Sequence, residues 1–118
     1  MGFVAEALAQ IKTGDYHSAA KTLEEHVNDV DLKADSKVNI MEWIGECYSK
    51  CDEPKNSALW YERSGRLILE SKEMPSFERN KKAIQDFEKA MESCKVANDV
   101  EGIKRLAGLK YAVSSHNR

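Results

Sequence analysis

The amino-acid sequence predicts an all-α protein of about six helices, on two observations. Apolar residues recur every three or four positions in successive segments, which is the period of an amphipathic helix. Breaks that contain Gly, Pro, Asn or Asp separate these segments, at residues 13–16, 51–54, 74–76 and 98–99. A length of 118 residues fits one domain. We therefore expect all of the helices to belong to a single fold spanning 1–118.

The composition argues against several classes of function. Eighteen basic and 20 acidic residues give a net charge of −2, so no general affinity for nucleic acid or an anionic membrane is expected. No apolar segment approaches the roughly 20 residues that cross a membrane. Glu6 interrupts the short apolar start, so no signal peptide is expected. Three cysteines without a repeated spacing predict reduced thiols and a cytoplasmic location.

The first two predicted helices are short. Apolar residues at helical spacing place the first helix at 3–11, and a turn at 13–16 separates it from the second. In the second helix, Ala19 is a small and Leu23 a bulky member of the apolar face, which ends near residues 28–29.

The third predicted helix carries Ile44, Gly45 and Tyr48 on adjoining turns. Asp35 or Ser36 can cap its N-terminus, because a short polar side chain accepts hydrogen bonds from the first amides of a helix. Gly45 has no side chain, so a second helix can approach the third one closely at this position.

The fourth predicted helix begins at Pro54, a residue that suits the first turn of a helix, and Asp52 can cap it. Ser57 and Ser64 are its small positions, and Tyr61 is the bulky residue between them. Small residues at a crossing, with a ring that fills the gap, are typical of two antiparallel helices packed as a hairpin.

The last two predicted helices follow the break at Pro75. The fourth helix is expected to end before it, at about Lys72. The fifth helix runs over 77–97 with a nearly heptad apolar stripe, and Asn98–Asp99 ends it. The sixth helix then covers 101–115.

The spacing around the middle turn resembles the tetratricopeptide repeat, with bulky-Gly-x-x-Tyr, a turn, and then small-x-x-x-Tyr-x-x-small. Gly14 of the first turn precedes Asp52 of the middle turn by 38 residues, and Gly102 follows Asp52 by 50 residues at the corresponding position of the third unit. The structural positions of the repeats are then Gly14, Ala19, Leu23, Ile44, Gly45, Tyr48, Ser57, Tyr61, Ser64, Ala107, Tyr111 and Ser114. The resemblance implies a right-handed α-solenoid of three antiparallel hairpins, at about 2–30, 35–72 and 76–116.

The resemblance also implies a function, because stacked helical hairpins form a concave groove from the first helix of each pair. In this family the groove commonly takes up a peptide or a helix of another protein. The groove-facing positions of the middle unit are Asn39, Glu42, Glu46, Ser49 and Lys50. A solvated helix face is an equally good interpretation of these five residues. The acidic members favour a partner segment that is basic or apolar.

One branch of the family binds the C-terminal carboxylates of chaperones through a set of Lys, Asn and Arg residues. The matching positions here are Val4, Leu8 and Trp43. We therefore expect no binding of chaperone tails. Core packing is the preferred interpretation of Trp43 and Trp60.

The sequence thus predicts a non-catalytic protein–protein interaction module, an adaptor or scaffold. A second interpretation is a structural subunit that forms a homodimer through Leu67, Leu69, Leu109 or Val113. A remote third is an enzyme, or a protein that binds a metal or a small molecule.

No cofactor, metal or catalytic residue is predicted. Cys47 and Cys51 lie four residues apart and supply at most half of a zinc site, and no further pair of ligands stands near them in sequence. Core thiols are therefore the preferred interpretation. The sequence contains no Gly-rich phosphate loop.

Overall fold

The computed structural model describes residues 2–29 and 31–115, and within them the chain forms six α-helices and no strand. The helices are α1 (Gly2–Lys12), α2 (Tyr16–His26), α3 (Ala34–Lys50), α4 (Pro54–Leu69), α5 (Ser76–Val96) and α6 (Val100–Ser115). The prediction of an all-α fold with six helices is confirmed. The ends at residues 30 and 116 that were predicted for two of the hairpins lie outside the described residues.

Each helix packs against the next one along the chain, and α4 makes the most extensive contacts, with α3 on one side and α5 on the other. The described chain measures 44 × 35 × 19 Å along its principal axes. Because a helix with its side chains is about 10 Å across, the shortest dimension corresponds to about two layers of helices.

Three of the connections between helices use one turn geometry. Gly14 follows α1, Asp52 follows α3 and Asn98 follows α5, with φ angles of 80°, 63° and 58°. In each turn the next amide donates to the carbonyl five residues earlier, which is the Schellman ending of a helix. These bonds join Asp15 to Gln10 (2.9 Å), Glu53 to Tyr48 (3.0 Å) and Asp99 to Cys94 (2.9 Å).

The turns correct two of the predicted helix starts. Asp52 ends α3 and does not cap α4, whose N-cap residue is Glu53, because the positive φ of Asp52 reverses the chain one residue earlier than expected. At α3 the N-cap residue is Lys33, and Asp35 lies inside the first turn. The carboxylate of Asp35 therefore acts there through the helix dipole and not as a cap.

The expected positions of the third repeat are also corrected. Ala107, Tyr111 and Ser114 are exposed, and α6 instead buries Gly102, Leu106 and Val113. The third turn lies at Asn98, within the predicted break at Asn98–Asp99, but the positions expected from an offset of 50 residues do not fall on the buried face of α6. In addition, no described helix follows α6, so α6 is packed on one side only, against α5.

The buried apolar side chains form two cores. The first core joins α1, α2 and α3 to Trp60, and its buried members are Ala7, Ala19, Ala20, Leu23, Val27, Ile40, Ile44, Cys47, Tyr48 and Trp60. The second core is formed chiefly by α4, α5 and α6, and its buried members are Val38, Ala58, Tyr61, Ile68, Ala83, Phe87, Ala90, Cys94, Leu106 and Val113. The helix α4 contributes to both cores and so connects them.

Two glycines permit the closest helix approaches to α4. A Cβ atom built on Gly45 of α3 would lie 2.9 Å from Cδ2 of Tyr61. A Cβ atom on Gly65 of α4 would lie 2.6 Å from Cε1 of Phe87. At each crossing an aromatic ring therefore occupies the space that a side chain would need.

Replacing Asp52 with Gly is expected to raise the free energy of unfolding by about 0.5–1 kcal/mol. The left-handed conformation costs an L-residue about 1–2 kcal/mol, which exceeds the roughly 0.5–1 kcal/mol of extra chain entropy that glycine loses on folding. Urea denaturation measures the change. Gly14→Ala is the matched control and should be destabilising, and a destabilised Asp52→Gly protein would contradict the turn geometry.

Candidate functional site

The five predicted groove residues lie on α3. Asn39, Glu46, Ser49 and Lys50 are exposed, and Glu42 is half-buried. Lys50 Nζ lies 3.4 Å from Oε1 of Glu46, so these two side chains form an exposed ion pair one helical turn apart. The face of α3 that carries these residues is therefore polar and mostly accessible to solvent.

On α1, the two residues that match positions of the chaperone-tail binding set differ in exposure. Val4 is half-buried, and Leu8 keeps 45% of its surface exposed. An apolar side chain of α1 is thus accessible at Leu8.

Serines of α4 connect α3 to α5. The Ser57 hydroxyl donates to the backbone carbonyl of Gly45 at 2.8 Å and lies 3.0 Å from the Ser93 hydroxyl. About two turns further along α4, the Ser64 hydroxyl donates to Oδ2 of Asp86 at 2.6 Å. These serines are buried, so α4 forms the floor between α3 and α5.

Two clefts lie where α3 faces α5. The first, of about 230 Å³, is lined by Val38 and Asn39 of α3, Leu67 and Ile68 of α4 and Lys82 of α5, among others. The second, of about 160 Å³, is lined by Ser49, Asp52, Pro54, Glu92, Ser93 and Val96. The N-terminal half of α3 thus faces the N-terminal half of α5, and the C-terminal ends face each other. The two helices therefore run in the same direction, and we call the space between them the α3–α5 groove.

A pair of carboxyl groups occupies the middle of the α3–α5 groove. Asp86 is 1% exposed and is hydrogen-bonded to Glu42 as well as to Ser64. Burial, followed by the bond to Glu42, raises the pKa of Asp86 to about 7. Lys89 favours the charged form, but less strongly. The pair can therefore hold a proton near neutral pH.

A second buried network surrounds Glu24 of α2. Its Oε1 accepts a hydrogen bond from the Tyr48 hydroxyl and another from Trp60 Nε1, the latter at 3.1 Å. Burial and the bond to Glu24 raise the pKa of Tyr48. Trp60 is 7% exposed, and Trp43 is half-buried against the first core. Both tryptophans are therefore packing residues, and Trp60 is also hydrogen-bonded to Glu24.

The two cysteines on the third helix and its turn have different surroundings. Cys47 is 2% exposed in the first core, and burial raises its pKa to about 11. Cys51 is half-buried, and its Sγ lies 3.4 Å from Oε2 of Glu53. His17 Nδ1 lies 2.6 Å from the same oxygen. The three ligand atoms of His17, Cys51 and Glu53 all lie within 4.8 Å of one another.

The residues expected at a homodimer contact lie near the ends of α4 and α6. Leu67, Leu69 and Leu109 are half-buried, and Val113 is buried. Leu69, Leu109 and Val113 line an open cleft of about 490 Å³ together with Ser76, Arg79, Asn80 and Ala112.

Comparisons with known proteins give no relative from which to assign a function. No protein-family model, no curated protein and no solved structure matches the chain. Among the helices that the structure describes, none is both long enough and apolar enough to cross a membrane.

Proposed function

We propose that the protein is a non-catalytic interaction module that binds an extended peptide, or a helix, of another protein in the α3–α5 groove. On this proposal the six helices form three hairpins stacked as a right-handed solenoid similar to tetratricopeptide repeats, in the cytoplasm. The observation that carries the proposal is the parallel arrangement of α3 and α5 above α4, with a cleft at each end of the space between them.

The dimensions of the groove favour a short extended peptide. The clefts contain Asn39 and Ser49 of α3, and ten residues of helix span about 15 Å. An extended chain advances roughly 3.3–3.6 Å per residue, so a segment of about five residues reaches from one cleft to the other.

The side chains along the groove favour a particular sequence for that segment. Val38, Leu67 and Ile68 give the first cleft an apolar part, and Pro54 and Val96 do so in the second. Between the clefts lie two acidic residues of α3, the half-buried Glu42 and the exposed Glu46. A basic side chain flanked by apolar ones matches this order, because a carboxylate binds a guanidinium or an ammonium group through charge-assisted hydrogen bonds.

Reversing two charges on α3 is expected to weaken binding of such a peptide at least tenfold. The double variant is Glu42→Lys with Glu46→Lys, and it places positive charge opposite the basic side chain of the peptide. Peptides are first selected from a random display library against the native chain, and their affinities for both proteins are then measured by fluorescence anisotropy.

A control double variant, Glu25→Lys with Glu101→Lys, makes the same change in net charge on exposed positions of α2 and α6. Its affinity should stay within twofold of the native value. Equal losses in both double variants, or a selection that enriches no peptide, would contradict the proposed groove.

A second candidate function is a structural subunit that acts as a homodimer. The observation in its favour is the exposure of Phe77 (67%) and Tyr111 (65%), each next in sequence to a residue that lines the cleft of about 490 Å³. Sedimentation velocity over a wide range of concentration tests it. A monomer throughout would remove this candidate, and a dimer that Phe77→Ser with Tyr111→Ser dissociates would support it.

A further inference from the structure

We propose that His17, Cys51 and Glu53 form a binding site for a divalent metal ion of the zinc type. The sequence predicted no metal, because His17 and Cys51 are far apart along the chain. The fold brings one nitrogen, one sulfur and one oxygen ligand within 4.8 Å of one another. None of the three residues lines either cleft of the proposed peptide groove, and the site does not depend on that groove.

Three different elements position the ligands. His17 lies in the first turn of α2, Cys51 is the C-cap residue of α3, and Glu53 is the N-cap residue of α4. The turn between the last two is closed by backbone hydrogen bonds from Glu53 N to Tyr48 O (3.0 Å) and from Cys51 N to Cys47 O (3.2 Å). The backbone therefore holds two of the three ligands in a defined geometry before any ion binds.

The distances suit a tetrahedral ion. Ligands bound to Zn²⁺ at about 2.0–2.3 Å with tetrahedral angles lie roughly 3.3–3.7 Å apart, and the Cys51 Sγ to Glu53 Oε2 distance is 3.4 Å. The same oxygen lies 2.6 Å from His17 Nδ1, a hydrogen-bond distance that must lengthen when an ion takes the place of the proton. When the ion binds, the Cys51 thiol releases its proton to solvent, and the neutral His17 ring keeps its proton on Nε2.

A neighbouring side chain orients the carboxylate. Asn56 Nδ2 donates to Oε1 of Glu53 at 3.1 Å, so this oxygen is occupied and Oε2 faces His17 and Cys51. Residues that hydrogen-bond to a metal ligand commonly set the orientation of that ligand and the affinity of the site for the metal. Asn56 is therefore a positioning residue of the site.

The types of ligand atom indicate which metal ions the site would bind, and the exposure of the ligands indicates whether the site is open to solvent. Imidazole and thiolate favour Zn²⁺ and related transition metals over Mg²⁺ and Ca²⁺, which prefer oxygen ligands. The side chains of His17 and Glu53 are 53% and 34% exposed, so solvent reaches the ligands. Three protein ligands with access to water give an open site, in which water or a donor from a partner completes the coordination.

Cobalt(II) is the direct probe, because its thiolate complexes absorb through ligand-to-metal charge transfer. The native chain, without an affinity tag and with a phosphine reductant, should bind one equivalent of Co²⁺ and develop the thiolate band and the visible bands of a tetrahedral complex. Addition of Zn²⁺ should abolish these bands by displacement.

Variants distinguish the site from other thiols and imidazoles of the chain. Cys51→Ser should remove the charge-transfer band, and His17→Gln and Glu53→Gln should each weaken binding of Zn²⁺ at least tenfold in a competition with a chromogenic chelator. Cys94→Ala and His26→Gln are matched controls outside the cluster and should bind as the native chain does. Circular dichroism verifies that each variant is folded.

The absence of a charge-transfer band in the native chain would overturn the proposal. So would a band that survives in folded Cys51→Ser, or binding of Zn²⁺ that His17→Gln and Glu53→Gln leave unchanged. Because none of the three ligands lines either cleft of the groove, the peptide assay can be run with a chelator present, and the two proposals succeed or fail separately.

Discussion

Replacing Phe87 with Ala is expected to lower the free energy of unfolding by about 3–5 kcal/mol, the usual cost of removing a large buried ring. Phe87 is 0% exposed in the second core. Its ring contacts Gly65 of α4, which has no side chain to fill the space that is vacated. For a small domain this is a large part of a total stability of roughly 5–15 kcal/mol. Urea denaturation at pH 7 measures the loss.

The contact of Phe87 with Gly65 can be tested from its other side. A Cβ atom on Gly65 would lie 2.6 Å and 2.8 Å from Cε1 and Cδ1 of the ring, so Gly65→Ala alone is expected to cost about 1–3 kcal/mol through overpacking. Combined with Phe87→Leu, the same methyl group should cost much less, because the smaller side chain leaves room for it. Strictly additive effects of the two changes would contradict this packing of α4 on α5.

Asp86 is expected to make the free energy of unfolding depend on pH. Its pKa is raised above the ordinary value of 3.8 to about 7 in the folded chain, chiefly by burial and the bond to Glu42. Between these two pH values the folded state binds more protons than the unfolded state. The contribution of Asp86 to stability therefore decreases as pH rises through this window and levels off above it.

Asp86→Asn is expected to remove this decrease, because an amide imitates the protonated carboxyl group. The variant should gain at least about 1.4 kcal/mol relative to the native chain between pH 4 and pH 8, which is the free energy of one pKa unit. Glu78→Gln, at an exposed position of the same helix, is the matched control and should show no such gain. If the difference in free energy of unfolding between Asp86→Asn and the native chain is constant with pH, or changes in the opposite direction, the assignment of the proton to this pair is contradicted.

The fold was predictable where local signals were strong. Apolar periodicity placed all six helices, and α5 differs from its predicted range by one residue at each end. The third turn was predictable from the pair Asn98–Asp99, and Asn98 adopts there the positive φ that Gly14 adopts in the first turn. Asparagine tolerates this conformation. The buried positions of α6 were not predictable, because an offset of 50 residues from the middle unit aligned Gly102 with Asp52.

The groove was predictable only on one side. The exposed residues of α3 follow from the helical period once one face is buried, but the opposite wall, with Lys82, Asp86 and Glu92, depends on how α5 packs. The cluster of His17, Cys51 and Glu53 joins residues that no sequence spacing relates. It exists because α2 and the turn between α3 and α4 meet in three dimensions.

Mapping of a bound peptide by NMR shows whether the α3–α5 groove is the binding surface. A peptide from the display selection is added to chain labelled with ¹⁵N, and changes in amide shifts are followed to saturation. The proposed function predicts the largest changes along the exposed side of α3, around Asn39, Glu42 and Ser49, and on the facing side of α5. Changes confined to α6, or to α1 and α2, would place the binding surface elsewhere and contradict the α3–α5 groove.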